Sequence, residues 1–149
     1  MSTPTRIRPW LVQYAVAAVA FCLVDFVWLG TVAEGIYEDR IGHLLREQPN
    51  LAAAVVFYAL FVAGLVFFVI APALERGSWR YAVGAGAFFG LVCYATFDLT
   101  NLAVLEGYPF SIVPIDMAWG TFLAATVSGA TYAVVSRLPD ASRARSDAI

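Results

Sequence analysis

The sequence predicts an all-α polytopic membrane protein with four transmembrane helices, on three observations. Hydrophobic residues make up 61% of the chain and charged residues 13%, with a mean hydropathy of +0.76. Soluble domains sit near 45–50% apolar and about 25% charged. The excess lies in four apolar runs, residues 10–32, 51–73, 79–103 and 114–136. Each is long enough to cross a hydrocarbon core of ~30 Å. The third observation is where the cations fall. All nine basic residues are arginine. Arg6, Arg8, Arg76, Arg80, Arg137, Arg143 and Arg145 flank one side of the runs, and only Arg40 and Arg46 the other. The positive-inside rule then sets both termini in the cytoplasm.

The expected organisation is a cytoplasmic tail at 1–9, a transmembrane domain at 10–136 and a disordered cytoplasmic tail at 137–149. The first run is too long for a signal-peptide core and reads as a retained helix. The basic tails suit anionic lipid headgroups, so membrane lipids are the expected partners and nucleic acid is not. Cys22 and Cys93 lie in separate apolar runs without C-x-x-C spacing. They read as small apolar packing groups.

Taken in order, the first helix places Tyr14, Ala18, Phe21, Cys22, Asp25, Trp28 and Leu29 on one face at helical spacing. In the outer loop at 33–50, Ile36, Tyr37, Ile41, Leu44 and Leu45 recur among charged residues, the pattern of a short amphipathic helix lying on the outer surface. Pro49 closes it before the second helix. In that helix Tyr58 lies about two turns from the outer end, where its hydroxyl needs a partner. A tight inner turn at 74–80 makes the second and third helices antiparallel neighbours. The third helix carries Ala82, Gly86 and Gly90 at four-residue spacing, a stripe that admits close helix packing and points to a homodimer through this helix. The fourth helix, opened by Pro114, should bury Asp116, Trp119, Gly120, Leu123 and Val127.

The polar residues of the apolar runs define the candidate site. At ~1.5 Å rise per residue, Asp25 lies roughly 10 Å below the outer end of its helix and Asp98 roughly 8 Å. Asp116 is a few residues into the fourth helix, and Tyr58 descends about as far as Asp25. A carboxylate inside a transmembrane helix costs ~2.5–3.5 kcal/mol, so these groups need partners or a wet cavity. Asp116 in a first turn meets the favourable end of the helix dipole, whereas Asp98 meets the unfavourable one and needs an offset. Thr100 and Asn101 follow it and are expected to serve the helix end or the site. Trp28 and Trp119 each follow an aspartate by three residues, and read equally as an interfacial belt or a ligand-stacking wall. The lone His43 excludes a His-rich metal site, and no glycine loop suggests a nucleotide. No cofactor or resident metal is expected.

The strings VDFVWLG, FYALF, YATFDLTNLAVLEGYP and IDMAWG resemble a family of small bacterial membrane proteins known as domain of unknown function 2177. The likeness spans about residues 10–136. It implies a four-helix protein of the bacterial inner membrane and carries no settled activity. Asp25, Trp28, Tyr94, Asp98, Thr100, Asn101, Asp116 and Trp119 fall on its motif positions.

Three readings stay open. The first is binding or transport of a small molecule or ion, coupled to carboxyl protonation. The second is a membrane-embedded enzyme acting on a lipid or isoprenoid by carboxyl acid/base chemistry. In the third, the protein is a partner subunit whose polar cluster only fixes helix packing.

Overall fold

The computed structural model describes residues 7–138. The expected tail residues 1–6 and 139–149 lie outside this range. Residues 7–9, read from sequence as tail, form the first turn of α1, Ile7–Trp28.

Four long apolar helices are present among the described residues. The first comprises α1, a π-helical turn at Leu29–Ala33 and α2, Glu34–Ile41. The second comprises α3, Leu51–Leu65, a π turn at Val66–Ile70 and α4, Ala71–Arg76. α5, Trp79–Val104, and α6, Val113–Val135, complete the set. Leu23, Phe26, Val27 and Leu60 are each exposed by 65% or more, which gives the bundle the apolar exterior a bilayer requires.

Local chemistry sets the boundaries. The Asn50 side chain accepts from the Ala53 amide and caps α3. Gly77, at φ +61°, ends α4 in the left-handed conformation that glycine adopts without Cβ strain. Its amide and that of Ser78 bond the Leu74 and Ala73 carbonyls. The Ser78 hydroxyl then accepts from the Tyr81 amide and starts α5. The Arg76 guanidinium lies 4.2 Å from the centre of the Tyr81 ring across this turn. So short a link makes the two helices antiparallel.

The segment after the first apolar run, expected from sequence to be an outer loop, joins the first helix. Glu34–Ile41 is not a separate helix on the surface but an extension of α1, joined through the π turn. The reason is local: no proline interrupts 29–41, Gly30 and Gly35 keep a helical backbone, and the π turn carries the helix on without a break.

α5 packs most extensively on α6. A Cβ on Gly90 would lie 2.0 Å from the Gly120 carbonyl oxygen, and one on Gly86 2.8 Å from that of Ala124. Only glycine permits this approach. The stripe expected to join two copies is therefore buried beneath α6 of the same chain. Gly64 likewise leaves room for the Phe89 ring.

Phe21, Phe61, Leu65, Val69, Leu123 and Val127 fill the centre of the bundle. The Tyr14 hydroxyl donates to the Ala59 carbonyl at 3.1 Å, tying α1 to α3. Cys22, expected inside, is exposed on the apolar exterior. Phe21 and Ala17 take the inward positions of α1 instead.

Candidate functional site

Towards the end of the bundle that carries the α5–α6 turn, the core opens into a cavity of about 410 Å³. All four long helices line it. Asp25 and Trp28 come from the first, Phe57 and Tyr58 from the second, Tyr94 and Phe97 from α5, and Asp116 and Trp119 from α6. Such a volume is near the lower end of the range for small-molecule pockets.

Asp25 and Asp116 are 8% and 7% exposed, and each is held by a tyrosine. The Tyr58 hydroxyl donates to Asp25 Oδ2 at 2.8 Å. The Tyr37 hydroxyl donates to Asp116 Oδ1. A carboxylate offers about four acceptor positions, so one phenol leaves most of each group's capacity facing the cavity. Asp116 stands in the first turn of α6, where the helix dipole favours an anion.

The two tryptophans do not stand apart as a belt. Trp28 and Trp119 stack on each other with ring centres 4.2 Å apart and planes 9° from parallel. Together they make one wall, and the Trp119 indole approaches the Asp25 carboxyl. The Tyr94 ring occupies the space that a side chain on Gly120 would fill, 2.2 Å from its Cβ position. Gly120 therefore seats Tyr94 at the cavity floor.

Asp98 is separate. It is wholly buried, does not line the cavity, and accepts from the Tyr108 hydroxyl at 2.9 Å. Its other oxygen has no hydrogen-bond partner among the described residues. The offset that its place near the end of α5 calls for is thus supplied from the following turn. Burial and the adjoining Asp98 carboxyl push the Tyr108 phenol up to about 12, which keeps it a donor at neutral pH. Asn101 approaches that hydroxyl. Thr100 is exposed and turns back to the Thr96 and Phe97 carbonyls of its own helix, away from the cavity.

The strings that suggested a family resemblance lie within the segment that a family model matches. The chain belongs to the DUF2177 family. That family, described as predicted membrane proteins, matches residues 10–133. No curated protein and no solved structure matches the chain.

Of the residues singled out from sequence, Asp25, Trp28, Tyr58, Tyr94, Asp116 and Trp119 line one cavity. Asp98, Thr100 and Asn101 lie outside that lining. Sequence reasoning missed Tyr37 and Tyr108 as carboxyl partners. At about 100° per residue, nine residues set Tyr37 roughly 180° from Trp28 on an unbroken α-helix. The π turn between them delays that rotation, and the Trp28 indole in fact approaches the Tyr37 hydroxyl. Tyr108 lies in a turn, where helical periodicity gives no signal. A phenol ten residues beyond an unpaired intramembrane aspartate was the only clue.

Proposed function

We propose that this DUF2177 protein binds a small molecule or ion in the aspartate–aromatic cavity, at the outer side of a bacterial cytoplasmic membrane, with occupancy coupled to protonation of the carboxyls. The observation that carries the reading is a single cavity faced by two buried carboxyls from different helices, each held by one phenol. Burial of that many polar groups in an apolar bundle is costly, and a purely structural pair would be expected to close on itself.

Three further polar side chains are buried outside the cavity and are not part of this reading. Gln13, Ser128 and Thr131 are buried in the parts of α1 and α6 remote from the cavity. Their Oε1, Oγ and Oγ1 atoms have no partner among the described residues. The outer orientation rests on the arginine distribution. Its check is a reporter fused after residue 149, which should be active only in the cytoplasm.

The reading is tested by thermal stability of the purified protein across pH 5–9, with and without a library of small metabolites and ions. Saturable, pH-dependent stabilisation that Asp25→Asn abolishes is the expected outcome. Absence of stabilisation by any compound, at every pH, would remove it.

One observation favours a second reading, an enzyme acting on a lipid or isoprenoid. Leu29, Phe57 and Phe97 line the cavity and are also 45%, 46% and 58% exposed on the apolar exterior. A chain dissolved in the bilayer would reach Asp25 and Asp116 past them. A lipid profile that changes on gene deletion, and is restored by the wild type but not by Asp25→Asn, would select this reading.

A further inference from the structure

The proposed binding function leaves the class of ligand open, and the chemistry of the cavity narrows it. Two carboxylic acids line the cavity, Asp25 from α1 and Asp116 from α6. Each is more than nine-tenths buried and spends one oxygen on a tyrosine. Among the described residues, no Arg, Lys or His lines the cavity. Aromatic side chains from every long helix share the lining, with Trp28 and Trp119 stacked on each other. An aromatic face carries the negative part of its quadrupole, so these walls and the carboxylates repel the same charge and attract the same charge.

An anionic ligand would meet two like charges with no counter-cation, in a setting that screens poorly. A bare, strongly hydrated inorganic cation gains from the carboxyls but leaves the aromatic walls unused. A substituted ammonium uses both. Its charge is spread over methyl or methylene groups that pack on rings, and its positive field meets the carboxylates at short range. The cavity volume of about 410 Å³ admits such a headgroup with a short substituent. The exposed apolar edge at Phe57 and Phe97 admits a longer one.

We infer that the cavity between Asp25, Asp116 and the Trp28–Trp119 stack is a site for an organic cation of the substituted-ammonium class. The inference rests on the binding reading above. The ammonium group can belong to a small water-soluble molecule or to the head of an amphiphile.

The test is a titration of the purified full chain in a neutral maltoside detergent, followed by tryptophan fluorescence, with matched probes. Choline is compared with its uncharged carbon isostere 3,3-dimethyl-1-butanol, with the anion isethionate, and with hexyltrimethylammonium. Choline or hexyltrimethylammonium should bind at least about tenfold more tightly than the alcohol, and isethionate should not bind. Asp25→Asn should weaken the cations about tenfold and leave the alcohol unchanged. A hexyl probe that outbinds choline marks an amphiphile entering from the bilayer, and parity marks a soluble ligand. Equal binding of alcohol and choline would overturn the inference while the cavity's binding role stood. Failure of both cations to bind would overturn it outright. If Asp25→Asn does not fold, the wild-type series alone decides, with Trp28→Leu as the second variant.

Discussion

Along α5 and α6 the same two helices meet in two ways. At Gly86 and Gly90 the backbones touch, with Ala124, Ser128 and the Gly120 carbonyl filling every space a side chain would need. One to two turns further along α5, Tyr94 stands between the helices, and the neighbouring first and second helices are held off by aromatic rings around a cavity. The sealed half is lined by glycine, alanine and serine, the hollow half by large rings and two carboxyls. A small-residue seam locks two helices at a fixed distance, and large rings on the same pair spend that rigidity on holding a space open. The aspartates follow the same division. Asp25 and Asp116 face the space, while Asp98 is packed shut against Tyr108.

The strongest way to break this contrast is to thicken the sealed half. Gly90→Val drives a branched side chain into the Gly120 carbonyl and should cost about 3 kcal/mol or more, the upper end for overpacking. Loss of a monodisperse peak on size exclusion is the expected readout. The control is Gly84→Ala on the same helix. Nothing lies within 4 Å of that Cβ, and alanine should stabilise by about 0.5–1 kcal/mol. A thermal melt that drops equally for both would refute the tight seam.

Next in size is the difference between the aspartates. Asp98→Ala leaves the Tyr108 hydroxyl without its acceptor and should cost about 1–3 kcal/mol of stability, with cation affinity unchanged. Asp25→Asn keeps an acceptor for Tyr58 and should change stability little while lowering cation affinity. Melting curves beside the fluorescence titration separate the two, and the contrast fails if Asp98→Ala alone abolishes binding. The smallest effect belongs to Thr100→Val. Its hydroxyl is exposed and bonds only its own helix, so stability should stay within about 0.5 kcal/mol and binding should be unaffected.

The same residues show how much of the molecule is legible without coordinates. The four spans follow from hydropathy, because a bilayer forces every backbone group into helical hydrogen bonds and leaves few alternatives. The inward face of α6 is readable for a similar reason. Asp116, Trp119, Gly120, Leu123 and Val127 are all buried, as a 3.6-residue period requires in an unbroken helix. The similar depth of Tyr58 and Asp25 was readable from spacing, but which acceptor the phenol takes was given only by the packed helices.

Only the packed bundle decided the rest. Periodicity says which face of a helix is small but not which neighbour takes it, so the Gly86/Gly90 stripe, read from sequence as a contact between two copies, is taken by α6. A π turn shifts helical phase, and the single Gly30 within it does not announce one, so Tyr37 came to Asp116 from a direction that unbroken α-helical spacing forbids. Whether two tryptophans line an interface or stack on each other depends on the distance between their helices, which no local pattern encodes. Membership in a span is a property of one segment and its solvent. The cavity is a property of the gaps between four, and gaps are set only when all of them pack.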